Sequence, residues 1–230
     1  MNILIIKTIF AKDKNFIDVN ITSIKSFLNY ISDNKNKITF KLFGWIYNNE
    51  DNFLKELNVC YELFNENYGK MYLLKNIKKY ISNYEDYDFI LYADHDISII
   101  DTNILENIEI NNIVNNKKII MCSFNQEPNN RHSQIVYSNE IIINKNKYYY
   151  HENNSFIATG CFIVKPYFFK YLENIIITQN YGTEDIYIGK IINDNNFISL
   201  LSEKKVYHPF DINKEYEEWK IKQIYKLYNL

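Results

Sequence analysis

Apolar and polar positions alternate along the first hundred residues in two distinct periods. "ILIIKTIF" (3–10) is an almost unbroken apolar run, which predicts a buried strand. "FIDVNITSIKSFLNYI" (16–31) then places Phe16, Val19, Ile24, Phe27, Leu28 and Ile31 at helical spacing. "KITFKLFGWIY" (37–47) predicts a second strand ending in the polar turn "NNED", and "FLKELNVCYELFN" (53–65) a second amphipathic helix. After Tyr68-Gly69, "KMYLLKNIKKYI" (70–81) has the pattern of a third helix and "FILYA" (89–93) that of the next strand. Strands alternating with helices imply an α/β fold, a mostly parallel central sheet flanked by helices.

Beyond residue 100 the rhythm changes. "KKIIMCSF" (117–124) and "FIATGCFIVK" (156–165) predict strands, and "IVYSNEIIINKNKYYYHE" (135–152) a hairpin turning on Asn144 to Lys147. "PYFFKYLENII" predicts a helix opened by Pro166. "DIYIGKII" (185–192) starts another, and "VYHPF" (206–210) is a short extended stretch. The tail "EYEEWKIKQIYKLYNL" sets Ile221, Ile224, Tyr225 and Tyr228 at the spacing of a closing amphipathic helix. Composition then narrows the class. With 230 residues, 47% of them apolar, the chain suits one large domain with a sizeable core. A net charge of −2 and no basic stretch offer nucleic acid no attracting field. Cys60, Cys122 and Cys161 lack metal-site spacing and suit buried free thiols in a reducing compartment. No signal peptide and no run of ~18 apolar residues is visible, so a cytoplasmic protein without a transmembrane segment is expected.

Candidate chemistry begins at "FILYADHDISII" (89–100), where Asp94 and Asp96 directly follow an apolar strand. In a chain with twelve aspartates such a triplet arises by chance, and Asp86 and Asp88 form a second copy. Position separates the two. Asp86 and Asp88 precede the strand, where turn residues sit. Asp94 and Asp96 follow it, at the edge where open α/β sheets bind ligands. Two hard oxygen donors there suit Mn²⁺ or Mg²⁺ and leave coordination positions for phosphates; a strand end closed by polar residues is the alternative. In "NYGTEDIYIGKII" (180–192), Glu184 and Asp185 open a helix. Taken alone they are acids favoured by the helix dipole behind a Thr183 cap. His208, a lone histidine, reads by itself as a surface or core residue.

"GKMYLLKNIKKYISNYEDYDFILYADHDI" resembles the segment leading into the D-x-D motif of GT-A fold glycosyltransferases. Thr159-Gly160 and the "TED" at 183–185 are similar to the strand and G-x-E-D stretches of inverting members. Over roughly residues 1 to 210 the resemblance implies a GT-A (Rossmann-like) domain. Residues 1–100 would be its nucleotide-binding half and 101–210 its acceptor-binding half with a smaller antiparallel hairpin, followed by a docking helix over 211–230. It implies a metal-dependent enzyme moving a sugar from a nucleotide-diphosphate donor, a UDP-sugar, to a hydroxyl of a glycan, protein or small molecule. Asp94, Asp96 and His208 would hold the cation, with the imidazole tilting it toward Mn²⁺. Asp185 would be the general base and Glu184 an acceptor ligand. Thr8, Phe10, Ala11 and Asp51 would meet the base, Asp94 also the ribose, and Lys70 and Arg131 the diphosphate. Gly160 would let backbone approach the sugar. His95 is expected to face away from the metal. The proline- and asparagine-bearing end of the family's first strand is missing. The rival classes are a metal-dependent phosphoesterase or nucleotidyltransferase and a non-catalytic sugar-binding module.

Overall fold

The amino-terminal apolar run forms the middle of a sheet. In a computed structural model, which describes residues 1–106, 113–114, 116–128, 139–151, 157–176, 184–209 and 218, β1 (Asn2–Ala11) lies between two parallel neighbours. These are β2 (Lys37–Ile46) and β4 (Phe89–Ala93), with β3 (Tyr61–Leu63) parallel outside β2. Short β5 (Ser98–Ile99) and β6 (Ile113–Val114) flank the far half, made by β7 (Lys117–Pro128), β8 (Asn139–Ile143), β9 (Asn146–Tyr150), β10 (Cys161–Val164) and β11 (Phe197–His208). The main order is β3-β2-β1-β4-β10-β7-β11-β9-β8. Seven of these nine strands run one way, and β10 and β9 run against them. Arg131, His132, Thr183 and the tail beyond residue 209, apart from Glu218, lie outside the described residues.

Period-two alternation in β1 feeds both faces. Leu4 and Ile6 pack with Met71, Leu74, Ile77 and Ile188, while Ile3 and Ile5 pack with Phe27 and Tyr30. Each such side chain contributes about 1.5–3 kcal/mol by leaving water. Phe27 and Tyr30 belong to α1 (Lys14–Asp33), capped by Asp13, whose carboxylate accepts from the Asn15 and Phe16 amides at 3.0 and 3.3 Å. Asn20, buried on α1, donates to the Phe10 carbonyl at 2.8 Å and so ties down the carboxyl end of β1.

Several elements differ from expectation for local reasons. The helix expected over 53–65 ends early: α2 spans Asn52–Glu56, Asn58 turns left-handed (φ 50°), and Tyr61–Leu63 joins the sheet. Val59, Tyr61 and Leu63 alternate, and all three pack against one core cluster, a strand period that overrides the helical one. The helix expected over 70–81 is α3 (Gly69–Lys75) and a separate turn, Ile77–Tyr80. They part at Asn76, whose side-chain amide bonds back to the Tyr72 carbonyl at 2.8 Å. The stretch expected at 206–210 is the end of the twelve-residue β11. The hairpin turns on Asn144 and Lys145, both at positive φ (48° and 67°), as a tight hairpin turn requires. Cys122 and Cys161 are buried, but Cys60 is exposed.

Strand direction assembles one edge. Because β10 opposes β4, its first residues lie beside the end of β4, and the Asp94 amide donates to the Gly160 carbonyl at 2.8 Å. Because β11 parallels β7, His208 arrives at the same edge, with Val206 in register with Gln126.

Candidate functional site

Lys70, in the first turn of α3, is the centre of a half-buried polar network. Its ammonium reaches Asp94 Oδ2 at 3.0 Å, Thr159 Oγ1 at 3.1 Å, the Thr159 carbonyl at 3.2 Å and Glu184 Oε1 at 3.4 Å. The Thr159 hydroxyl in turn donates to Asp185 Oδ1. Tyr92 donates to the other Asp94 oxygen at 2.8 Å. Burial pushes the Lys70 ammonium down, but Asp94, Glu184 and Asp185 outweigh it and hold its pKa above the usual lysine range. Burial and the Asp94 charge together push the Tyr92 phenol well up, so it stays a proton donor. Glu184 and Asp185 occupy the first turn of the Glu184–Asp194 helix, where the dipole favours negative charge.

A second group stands beside the first. Asp96 Oδ2 lies 3.4 Å from His208 Nε2, and His208 Nδ1 is 2.8 Å from Gln126 Oε1. Asp96 Oδ1 is buried with no hydrogen-bond partner. Burial raises the Asp96 carboxyl, but His95, His208 and Lys7 prevail and hold it well below the usual carboxylate range. Lys7, 0% exposed, donates to the Asp94 and Ile97 carbonyls at 2.6 and 3.1 Å and clamps the turn carrying both aspartates. Burial pulls its own pKa down to about 7 against the pull of Asp96, Cys161 and Asp94. Among the described residues no three His, Cys, Asp or Glu side chains are arranged to hold a metal ion; one Asp94 oxygen accepts from Lys70 and the other from Tyr92. Asp96 and His208 could hold one. An ionised carboxylate with an orphan oxygen, next to an imidazole, is a donor set that suits a divalent cation.

A cavity of about 420 Å³ opens against this network. Its lining includes the charged Lys70, Asp94 and Glu184, the aromatic Phe10, Phe43, Trp45 and Phe64, and Thr8, Ile9 and Gly44. Of the residues singled out in the sequence, Thr8, Phe10, Lys70, Asp94 and Glu184 line the cavity, and Asp185 joins them through Thr159. Ala11 is buried and is not in the lining. Asp51 also stays outside it, at the head of α2, bonded to Lys55 at 2.8 Å and the Tyr61 hydroxyl at 2.7 Å. His95, expected to face away, lines the cavity and packs edge-on to Phe10 at 5.5 Å, because the strand ends at Ala93 and its pleat does not continue. Lys7, Tyr92, Trp45 and Gln126 were not singled out. Lys7 carried a signal, a lone cation inside an apolar strand; Gln126 carried none.

No protein family matches the sequence, and no curated protein matches it. Solved structures do. A mannosyltransferase from Pyrobaculum calidifontis, in complex with GDP-Man and Mn²⁺, superposes with a TM-score of 0.61 at 11% identity, covering 96% of this chain and 60% of that one. The chain thus spans 60% of that protein's length. A variant of Drosophila β1,4-galactosyltransferase 7, in complex with manganese, UDP-Gal and xylobiose, gives 0.54 at 10% identity, covering 94% and 74%. A CMP:2-keto-3-deoxy-manno-octonic acid synthetase in complex with CTP gives 0.53 at 7% identity, covering 98% of each chain. The shared feature is the fold, a mixed α/β sheet of the GT-A glycosyltransferase type.

Proposed function

We propose that this chain is a metal-dependent glycosyltransferase that moves a sugar from a nucleotide-diphosphate donor, a UDP-sugar, to an acceptor hydroxyl with inversion. The observation that carries this reading is the continuous link Asp94–Lys70–Thr159–Asp185, with Glu184 beside it, at a cavity of about 420 Å³ lined by Lys70, Asp94 and Glu184. A lining that combines four aromatic rings, Phe10, Phe43, Trp45 and Phe64, with the Lys70 ammonium supports a ligand with an aromatic and an anionic part. Phe10 and Trp45 offer ring faces to a base, 5.7 Å apart at their centroids. Lys70 offers a permanent positive charge to the diphosphate.

The site itself calls for a cation. Asp94, Asp96, Glu184 and Asp185 are four carboxylates beside two lysines, Lys7 and Lys70, so acidic groups outnumber the ammonium groups. A diphosphate would be repelled by that excess, and a divalent ion cancels it. Asp96 and His208 would hold such an ion, with Asp94 joining them. The Asp96 oxygen left without a donor supports the fit. A bound Mn²⁺ or Mg²⁺ supplies Lewis-acid stabilisation of the negative charge on the departing diphosphate.

The chain's own groups perform the rest. Thr159 orients the Asp185 carboxylate, which takes the proton from the acceptor hydroxyl as its oxygen attacks the anomeric carbon. The bond from that carbon to the diphosphate oxygen breaks on the opposite face, and the electron pair leaves with the diphosphate. Tyr92 and Lys70 hold the Asp94 carboxylate so that it does not swing during the step. The test is release of nucleoside diphosphate from UDP-sugars. Slow release that requires Mn²⁺ and leaves phosphodiesters intact supports the reading; cleavage of phosphodiesters, or release indifferent to metal, rejects it.

A second reading, transfer of a nucleotidyl group from a nucleoside triphosphate to a sugar acid, is favoured by the match in length to the synthetase fold. Pyrophosphate release from CTP with a sugar acid present would replace the first reading with this one.

A further inference from the structure

We propose that Gln126 is the positioning residue that aims His208 at a divalent cation, and that position 160 is glycine to make room for its amide. This rests on the metal-dependent reading above. Gln126 lies near the end of β7, 7% exposed, and its Oε1 is 2.8 Å from His208 Nδ1. An amide oxygen only accepts, so Nδ1 carries the ring proton and donates it. In the neutral ring the lone pair is then on Nε2, the nitrogen facing Asp96 Oδ2 at 3.4 Å; in the charged ring Nε2 donates to that oxygen. A cation there would take the place of the Nε2 proton, and the second Asp96 oxygen is buried with no hydrogen-bond partner, 4.0 Å from His95 Nδ1. A histidine locked by an acceptor on one nitrogen, with the other turned to a carboxylate, is the arrangement in which an outer partner fixes the tautomer and direction of a metal ligand.

Gly160 gives independent support. Its backbone is not in the left-handed region, so nothing in its conformation asks for glycine; among the described glycines only Gly69 has a positive φ. What a side chain would meet is the Gln126 amide, at 2.7 Å from Nε2 and 3.1 Å from Oε1. The contact with Gln126 gives this glycine a reason within the chain itself, and its carbonyl holds the Asp94 amide at 2.8 Å. One small residue thus serves both halves of the edge.

The test is Mn²⁺ titration of the whole chain, alone and with UDP, following the free-ion signal by electron paramagnetic resonance. Gln126→Met keeps the volume and removes the acceptor; it should weaken Mn²⁺ binding about 10- to 100-fold with little change in melting temperature. Gln126→Glu keeps an acceptor and should hold Mn²⁺ within a few-fold of wild type or tighter. Gly160→Ala should follow Gln126→Met, and it keeps the question answerable if that variant fails to fold. His208→Ala should lose at least as much as any of them. If His208→Ala loses binding while Gln126→Met and Gly160→Ala keep it, the proposal is overturned and the metal reading stands. If the wild-type chain takes up no Mn²⁺ in either arm, both fall.

Discussion

Replacing Lys70 with methionine should destabilise the fold by several kcal/mol, and the size can be worked from the site. The ammonium is 3.0 Å from Asp94 and 3.4 Å from Glu184, and its side chain is only 10% exposed. At an effective dielectric of about 20, each attraction is worth roughly 5 kcal/mol before desolvation is subtracted. Removing one partner of such a buried set leaves the others uncompensated and typically costs about 3–5 kcal/mol. Asp94 and Glu184 keep 24% and 17% exposure through the cavity, so water offsets part of this and the lower end applies. For a chain of 230 residues each kcal/mol moves the melting temperature by about 2–4 °C, which gives a drop of roughly 6–12 °C. A thermal scan reads it directly. Adding Asp94→Asn to Lys70→Met removes one stranded charge, so the double variant should melt above the single one. A Lys70→Met protein melting within about 2 °C of wild type would make Lys70 a solvated surface charge. The polar network would then have no energetic reality.

Three further outcomes follow from the same edge. Asp185→Asn should keep nucleotide binding and lose about 10²- to 10⁴-fold in turnover, read by nucleoside diphosphate release; equal loss of binding would deny Asp185 a base role. Asp96→Ala should keep the far-ultraviolet circular dichroism spectrum and abolish Mn²⁺-dependent nucleotide binding, measured by calorimetry with and without the ion. Trp45→Ala should weaken UDP binding by about 1–3 kcal/mol, the usual worth of a base–aromatic stack, and unchanged affinity would place the base elsewhere.

The parallel half was legible because its apolar runs are long and unmixed. β1, α1, β2 and β4 all fall where the periodicity puts them. Errors arose where two periods compete. Around Val59 to Leu63 a helical reading and an alternating one fit the same residues, and pairing to β2 decides for strand. The apolar pattern marks only the end of β11, because Glu203, Lys204 and Lys205 interrupt it between the two halves of the strand. They fall at a register shift after Ser202, where Lys204 reaches out to the Asn103 carbonyl. Site residues divide the same way. Asp94, Asp96, Glu184 and Asp185 could be singled out because each is an acid pair at an element boundary. Gln126 could not, because its role exists only across strands, in a pairing with β11 that no local pattern encodes.

The reversal of β10 is what turns a sheet edge into a site. A parallel strand at that place would begin at the opposite edge, about 13 Å away for its four residues. Thr159 and Gly160 would then be out of reach of Lys70, Asp94 and Gln126. Running backwards, β10 instead delivers its leading residues between the ends of β4 and β7, and they do three things at once. The Thr159 hydroxyl joins Lys70 to Asp185, the Gly160 carbonyl fixes the Asp94 amide, and the bare Gly160 α-carbon admits the amide that holds His208. Lys70, Asp94, Asp185 and His208 come from four separate segments, and none of them touches all the others. Two residues at the start of one short antiparallel strand are the structural reason that they share a single cleft.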